Sequence, residues 1–169
     1  MKRAGISIDP PRRAPRLLRG ADSDFGACDA IPPAQRRAMR VLVCEDDPVQ
    51  GLLLMLFLER FGVAASLVAD GREAVNAVRS GTFTLVLMDY LLPVVNGVDA
   101  TRAIRRWERR HGRAPVPIVA VTASCMAHQC QRYLDCGMDR VLRKPYSARE
   151  FGELLAHYTL ATHAGAVCN

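Results

Sequence analysis

The 169-residue sequence lacks several features that would place it in a specialised class of protein. It has no apolar run of the roughly 18 residues that a membrane-spanning helix needs, and no apolar segment of a secretory signal follows its basic N-terminus. Its cysteines form no C-x-x-C pair and have no histidine at zinc-binding spacing. We therefore expect a cytoplasmic protein with scattered reduced thiols and no membrane partner. The cysteines are Cys28, Cys44, Cys125, Cys130, Cys136 and Cys168.

Most of the chain carries almost no net charge. The net charge is +6, but residues 1–40 contain nine Lys or Arg and four Asp, whereas residues 41–169 contain fourteen Lys or Arg and thirteen Asp or Glu. The basic excess therefore belongs to the N-terminal segment, and no recognition helix or aromatic-basic repeat follows it. We expect no nucleic-acid binding by the folded part of the chain.

The composition changes near residue 40. Residues 1–39 are rich in Pro, Arg, Ala and Gly without sustained hydrophobic periodicity. We predict a disordered basic tail or linker there, unless translation begins at Met39. Residues 40–161 are predicted to form one folded domain, and residues 162–169 a short flexible C-terminus.

Short, mostly apolar runs alternate with helical patterns from Val41 onward. Such runs are typical of strands that are covered on both faces. Five strands alternating with five helices predict an α/β fold, with a five-stranded parallel sheet of order 2-1-3-4-5 and helices on both faces, as in the flavodoxin-like (βα)5 arrangement. The predicted strands are 41–44, 64–68, 85–88, 118–121 and 141–142, and the predicted helices are 48–61, 71–79, 98–110, 126–136 and 148–160.

Acidic side chains follow two of the predicted strands. Glu45, Asp46 and Asp47 follow strand 1, and Asp89 follows strand 3. Because these strands are neighbours in the predicted order, their carboxylates share the cleft where such sheets bind ligands. Like charges at this range repel, and a hard cation such as Mg²⁺, with Mn²⁺ as the alternative, would remove the repulsion. Asp47 precedes Pro48, and we interpret it as a helix cap.

The other strand ends supply groups that suit phosphoryl transfer. Strand 4 ends at Thr122, and strand 5 at Lys144. With a metal in place, Asp89 can act as an oxygen nucleophile toward a phosphoryl group. The metal, the Lys144 ammonium and the Thr122 hydroxyl would neutralise the oxygens of that group.

Four segments resemble the receiver domain of two-component response regulators. VLVCEDDPVQ resembles the acidic pair of that family, LMDYLLPVVNG its phosphoacceptor strand, IVAVTAS its Thr/Ser strand, and GMDRVLRKPY its Lys-Pro strand. The similarity covers about residues 40–160, and the last two segments are most similar to receivers of hybrid kinases and phosphorelays.

The resemblance implies a role for each matching residue. Asp89 would accept a phosphoryl group from a phosphohistidine of a histidine kinase or a histidine phosphotransfer protein. Thr122 and Lys144 would bind the phosphoryl oxygens, and the Lys144-Pro145 bond would be cis. The ligands of Mg²⁺ would be Glu45, Asp46, Asp89 and the backbone carbonyl of Leu91.

Two positions depart from the family pattern. Val141 stands three residues before the lysine, where the family often has a switch aromatic, so we expect phosphorylation to move Thr122 and the loop 123–127 instead. Asn96 stands where many members have Asp, and an Asn-Gly pair suits the same turn. The predicted switch region is Thr122, Ala123, Val141 and Pro145.

The first predicted helix contains seven consecutive apolar residues, from Leu52 to Leu58. Its outward positions, which we call the outward stripe, are predicted to be Leu52, Met55 and Leu56, where a surface helix is ordinarily polar. We expect this stripe to dock a histidine-bearing helical phosphodonor or a second copy of the chain, unless the tail or the last helix covers it. The positions predicted to face the sheet are Leu53, Leu54, Phe57 and Phe61.

The third predicted helix ends in a run of arginines. We interpret this run as a solvated helix end that is favoured by the helix dipole, with partner docking as the alternative. The arginines are Arg105, Arg106, Arg109, Arg110 and Arg113.

Two other classes of protein share parts of the pattern. A phosphatase or dehalogenase also forms an aspartyl intermediate, but it needs an acid two positions after the nucleophile, where this chain has Leu91. A flavin-binding module needs a phosphate loop after strand 1, where the acidic residues would repel phosphate. We therefore favour a signalling phosphoacceptor that acts through protein contacts, without a DNA-binding output domain, over an enzyme with an external substrate.

Overall fold

The computed structural model describes the backbone of residues 31–123 and 127–164, and the side chains of residues 31–123 and 129–159. The predicted tail over residues 1–30 and the last five residues of the predicted C-terminus lie outside this description. Among the helices within it, none is long and apolar enough to cross a membrane.

The five strands form one parallel sheet in the order β2-β1-β3-β4-β5, which confirms the predicted fold. The predicted strand positions agree with the structure to within one residue at each end. The strands are β1 (Arg40–Cys44), β2 (Ala64–Val68), β3 (Leu85–Asp89), β4 (Ile118–Thr122) and β5 (Arg140–Arg143), and the helices are α1 (Pro33–Ala38), α2 (Pro48–Arg60), α3 (Gly71–Ser80), α4 (Gly97–Arg110), α5 (Ala127–Asp135) and α6 (Ala148–Ala164).

The sheet separates two hydrophobic clusters. Because successive side chains of a strand point to opposite faces, Val41 and Val43 lie in one cluster and Leu42 and Cys44 in the other. Helices α2 and α6 cover the first face, while α3, α4 and α5 cover the second. They contribute Leu54, Leu58, Phe61, Phe151 and Leu155 to the first cluster, and Ala74, Val98, Ile104 and Tyr133 to the second.

Side-chain caps fix three helix starts close to the edge where the strands end. The Asp47 carboxylate accepts hydrogen bonds from the backbone N–H groups of Val49 and Gln50, at 2.8 and 3.0 Å, which confirms its interpretation as a cap. Asp70 caps α3, and Asn96 caps α4. These capping hydrogen bonds therefore fix the positions of the loops that connect the strands to the helices beside the cleft.

Residues 31–39 differ from the predicted disordered tail. Ile31 and Met39 are each only 2% exposed, and both belong to the cluster that contains Val41 and Phe61. Between them lies α1, whose first residue is Pro33. The prediction failed because a single apolar residue on each side of a short helix creates no periodicity, although both residues bury well. At the other terminus, α6 continues through the first three residues of the predicted flexible segment.

The buried face of α2 is rotated relative to the prediction. Leu54 and Phe61 are buried and Phe57 is half-buried, but Leu53 is 49% exposed and Leu58 is buried instead. Within a run that is apolar on every side, the sequence does not indicate which face meets the sheet. Met55, which we assigned to the outward stripe, is half-buried against the first cluster.

The described cysteines are not all reduced. Cys44 and Cys136 are buried free thiols, and burial raises the pKa of both. Cys130 is disulfide-bonded, so the interpretation as a reduced thiol is wrong for this residue. Spacing in sequence could not show this, because disulfide formation depends on the distance between two sulfurs in the fold.

Candidate functional site

The predicted carboxylates and the lysine meet at the carboxyl edge of the sheet. The Lys144 Nζ lies 2.6 Å from Oε2 of Glu45 and 2.8 Å from Oδ2 of Asp89. Cys44 pairs with Met88 in the ladder between β1 and β3, so the residues that follow them, Glu45 and Asp89, emerge at the same level. Parallel strands thus bring together groups that are 55 and 99 residues apart in sequence.

These three side chains are largely withdrawn from water. Glu45, Asp89 and Lys144 are 2%, 13% and 14% exposed. Burial raises the pKa of Glu45; the hydrogen bond from Lys144 opposes this shift, and the nearby charge of Asp89 adds to it. Burial works against the charge of Lys144, but the hydrogen bonds to Asp89 and Glu45 outweigh it and raise the pKa of the ammonium. A single buried cation therefore serves two carboxylates.

Thr122 is held beside the lysine through the backbone. The N–H of Lys144 donates to the carbonyl of Thr122 at 2.8 Å, and the Thr122 side chain is buried at the end of β4. The Lys144-Pro145 bond is cis, as the resemblance implied. The structure therefore brings Thr122, Lys144, Asp89 and Glu45 to one edge of the sheet.

The loop after Asp89 is packed tightly against its neighbours. The N–H of Leu91 donates to Oδ1 of Asp89 at 2.9 Å, which orients the carboxylate. A Cβ atom on Gly97 would lie 2.2 Å from the carbonyl oxygen of Asp89, and one on Gly71 would lie 1.9 Å from that of Val95. Only glycine fits at these two positions.

The metal ligands stay a prediction. Glu45 and Asp89 both contact the Lys144 ammonium, while Asp46 is exposed. Within the described residues, no group of three or more His, Cys, Asp or Glu is arranged to hold a metal ion. The available donors are nevertheless carboxylate and carbonyl oxygens, which suit a hard divalent cation, and one lysine leaves the two carboxylates with an uncompensated negative charge. The site is chemically suited to Mg²⁺.

The predicted switch region is only partly covered by the structure. Val141 is half-buried against the second cluster, whereas Ala123 and Pro145 are exposed. Residues 124–126 of the predicted switch loop lie outside the described residues.

An apolar cavity beside the cleft was missed by sequence reasoning. Its volume is about 420 Å³, and the exposed side of α2 forms one wall. Tyr146 stacks on Phe151, with a distance of 5.6 Å between ring centroids, and burial, together with the charge of Glu45, raises the pKa of Tyr146 to about 12. The aromatic residue after Lys-Pro was the available signal. The cavity is lined by Gln50, Leu53, Phe57, Ala123, Lys144, Pro145 and Tyr146.

The fold and this cleft define a doubly wound domain whose central strand presents a lysine-paired aspartate at its carboxyl end. The family model of the response regulator receiver domain matches residues 41–156, and the chain belongs to this family. It is 41% identical to the sensor protein GacS of Pseudomonas syringae pv. syringae over 146 residues, which are 86% of this chain and 15% of GacS. The chain therefore spans only a small part of the length of that relative.

Two solved receiver structures agree with this assignment. The receiver domain of the sensor histidine kinase PA1611 from Pseudomonas aeruginosa, determined with magnesium in its active-site cleft, is 34% identical, with a TM-score of 0.65; the match covers 72% of this chain and 97% of that one. A co-crystal structure of the Saccharomyces cerevisiae phosphotransfer protein Ypd1 with the receiver domain of Ssk1 contains a chain that is 30% identical, with a TM-score of 0.70; the match covers 73% and 90% of the two chains.

The family is one of signalling modules, and it does not support the alternative of an aspartyl-phosphate hydrolase. The structure agrees on one point, because Leu91, at the position where such an enzyme needs its acid, is an apolar residue that is 72% exposed.

Proposed function

We propose that Asp89 is the phosphoacceptor of a phosphorelay. The observation that carries this proposal is the contact between the Asp89 carboxylate and the buried Lys144 ammonium at the end of a central strand. Asp89 is a carboxylate that is oriented by a backbone N–H, lies beside a cation and stays partly open to solvent. An incoming phosphoryl oxygen can replace it on the lysine without any large movement of the fold.

The donor in this proposal is a phosphohistidine of a histidine kinase or a histidine phosphotransfer protein. A carboxylate oxygen of Asp89 attacks phosphorus, the P–N bond breaks, and the electron pair of that bond stays on the histidine nitrogen. Lys144 and the Thr122 hydroxyl each bind an oxygen of the transferred group, whose charge they help to neutralise. Hydrolysis of the acyl phosphate later returns Asp89 slowly, without turnover of an external substrate.

Glu45, Asp46, Asp89 and the carbonyl of Leu91 would hold the divalent cation. When bound, Mg²⁺ supplies positive charge to the phosphoryl oxygens. The magnesium in the cleft of the PA1611 receiver supports this part of the proposal.

The labelling test uses acetyl phosphate and Mg²⁺ with detection by intact mass. The wild-type chain should gain one phosphoryl group, and Asp89→Asn should gain none. Asp99→Asn is the matched control, because Asp99 is an exposed aspartate in the first turn of α4 that pairs with Arg102 and not with Lys144. Equal labelling of wild type and Asp89→Asn would contradict the assignment, and loss of labelling on chelation of Mg²⁺ would support the metal site.

We also propose that the exposed side of α2 docks the donor. Leu52, Leu53 and Leu56 are each about half exposed, and Leu53 continues into the apolar cavity beside Lys144. A helix of the donor lying along this side would bring its phosphohistidine to Asp89 and exclude water from the cleft. The complex of the histidine phosphotransfer protein Ypd1 with the Ssk1 receiver supports a phosphotransfer protein as the partner. A second copy of the chain is the alternative occupant.

The docking test separates binding from chemistry. We expect the double variant Leu52→Glu/Leu56→Glu to slow phosphotransfer from phosphorylated Ypd1 at least tenfold, because it removes two apolar contacts from the proposed interface. Labelling by acetyl phosphate should be unchanged. Leu134→Glu, at an exposed leucine on α5, is the matched control. Unchanged transfer together with an unchanged oligomeric state would contradict the docking proposal.

We further propose that the signal passes on by protein contact in the cytoplasm. The free thiols of Cys44 and Cys136 support a reducing location, whereas the disulfide of Cys130 opposes it. Fractionation of cells that express the full-length gene product, with thiol labelling of each fraction, tests the location.

A further inference from the structure

A second cavity lies between the ends of α3 and α4, and the function proposed above does not use it. Its volume is about 420 Å³. We call it the basic pocket, and its lining residues are Arg79, Ala103, Arg106, Trp107, Arg110 and His111.

The basic pocket is remote from the phosphorylation cleft. Helix α4 begins at Gly97, directly beside the backbone of Asp89, and has 14 residues, so its last turn lies roughly 20 Å away at the opposite edge of the sheet. Arg79 likewise lies in the last turn of α3, which starts at the cleft edge. A ligand in the basic pocket therefore cannot touch Asp89 or Lys144.

The pocket arginines differ from their neighbours on α4. Arg102 pairs with Asp99 and Arg105 with Glu108, but among the described residues no carboxylate lies within 4.0 Å of the guanidinium groups of Arg79, Arg106 or Arg110. The helix dipole favours arginines near the ends of two helices, but it does not explain why three converge on one cavity. All three side chains are exposed, so water screens their mutual repulsion, but no described carboxylate competes with an incoming anion for these guanidinium groups.

Aromatic rings form the rest of the pocket. Trp107 and His111 are stacked, with 5.0 Å between ring centroids and 29° between planes. The Nδ1 atom of His111 lies 2.9 Å from the carbonyl oxygen of Trp107, so this nitrogen donates the hydrogen bond and the ring is held in place. A stacked aromatic pair thus stands beside three guanidinium groups.

We propose that the basic pocket binds a phosphate monoester carried on a planar aromatic ring, a ligand of the nucleotide class. The guanidinium forks of Arg79, Arg106 and Arg110 match the oxygens of a phosphate group. The ring of the ligand stacks on the Trp107–His111 pair. The basic pocket is open to solvent, and its volume of about 420 Å³ is large enough to hold a small ligand.

The fluorescence of Trp107 tests the proposal directly, because it is the single tryptophan of the chain. The full chain is titrated with adenosine 5′-monophosphate, with excitation at the red edge of the indole band. Inorganic phosphate, ribose 5-phosphate and adenosine are titrated separately. We expect a saturable change with the nucleotide, which binds about tenfold or more tightly than any of its parts.

Variants locate the phosphate contacts. Arg106→Gln and Arg110→Gln should each weaken nucleotide binding about tenfold or more, because each removes a charge-assisted hydrogen bond. Arg109→Gln, an exposed arginine of the same turn outside the pocket, should leave binding within about twofold. Asp89→Asn should bind as the wild type does, so this result does not depend on the phosphorelay function.

Several outcomes overturn the proposal. One is the absence of any saturable change with the four probes, a comparison that needs no variant and so cannot be confused with misfolding. Another is inorganic phosphate binding as tightly as the nucleotide, which would indicate an anion site without ring recognition. A third is an equal loss in Arg109→Gln, or tighter binding of a single-stranded oligonucleotide that depends on Arg109, which would indicate a general electrostatic surface.

Discussion

Two nearly buried cations at opposite edges of the sheet are each held between two carboxylates. Lys144, 14% exposed, contacts Glu45 and Asp89 at the carboxyl edge. Arg105, 11% exposed, contacts Glu108 at 2.8 Å and Asp139 at 3.0 Å near the other edge.

The two sites differ in how many hydrogen bonds the cation and its carboxylates make with the backbone. Arg105 also donates to the carbonyl oxygens of Gly137 and Val116, and its two carboxylates accept the N–H groups of Val116 and Ile118. We call this set of bonds the arginine clamp, since it ties α4 to the segments that enter β4 and β5. A planar guanidinium with five fixed donors suits such a permanent junction, whereas the compact lysine ammonium can exchange one oxygen ligand for another. The arginine clamp is therefore suited to holding segments together, whereas Lys144 is suited to the phosphoryl transfer that we propose at Asp89.

Breaking the arginine clamp should have the largest effect on stability. Arg105→Met leaves the buried Glu108 without its cation and removes two backbone contacts, so we expect a loss of about 3–5 kcal/mol in the free energy of unfolding. Urea denaturation measures it. The control is Arg109→Met, at an exposed arginine one turn along the helix, which should unfold as the wild type does. A loss under about 1 kcal/mol in Arg105→Met would contradict the structural role of the arginine clamp, because exposed ion pairs contribute no more than that.

Breaking the lysine contact should cost less and should respond to metal. Lys144→Met leaves two carboxylates facing each other in a cleft that is partly open to water, so we expect a loss of about 1–3 kcal/mol. Millimolar Mg²⁺ should recover part of this loss because it binds the folded carboxylates only. The same Mg²⁺ addition should not recover Arg105→Met. Urea curves with and without Mg²⁺ make the comparison, and equal responses of the two variants would contradict it.

The cleft loop carries backbone strain. Val94 has φ of +64°, a conformation that β-branched residues rarely adopt, and its side chain is exposed. Val94→Asn should therefore stabilise the chain by about 1 kcal/mol. Val49→Asn, at an exposed valine in helix α2, should give no such gain. Thermal unfolding measures both, and a destabilised Val94→Asn would show that the valine side chain makes a contact that outweighs the strain.

An exposed ion pair gives the smallest expected effect. Arg149 and Glu153 are one turn apart on α6, at 2.9 Å, and both side chains are mostly in solvent. Because water screens such a pair, Arg149→Ala should leave the urea midpoint unchanged within error. A shift as large as that of Lys144→Met would mean that burial does not explain the difference between the cation sites.

The two edges also differed in how well the sequence predicted them. The cleft was predictable because each of its residues ends a strand or directly follows one, and short apolar runs indicate where strands end. The arginine clamp was not, and the interpretation of Arg105 as part of a solvated helix end is wrong. Its partner Asp139 lies 34 residues away, and within a run of five arginines the sequence does not distinguish the buried one.

Sequence alone determined the alternation of strands and helices, the cap at Asp47, and the placement of Glu45, Asp89, Thr122 and Lys144 at one edge of the sheet, because those signals extend over only a few neighbouring residues. Tertiary structure decided which carboxylates Lys144 contacts, which face of α2 is buried and which arginines line a pocket. These outcomes depend on strand register and on how each helix is rotated against the sheet. Both properties depend on contacts between distant parts of the chain, as do the ion pairs that join residues 34 and 99 positions apart, and no local pattern encodes such contacts.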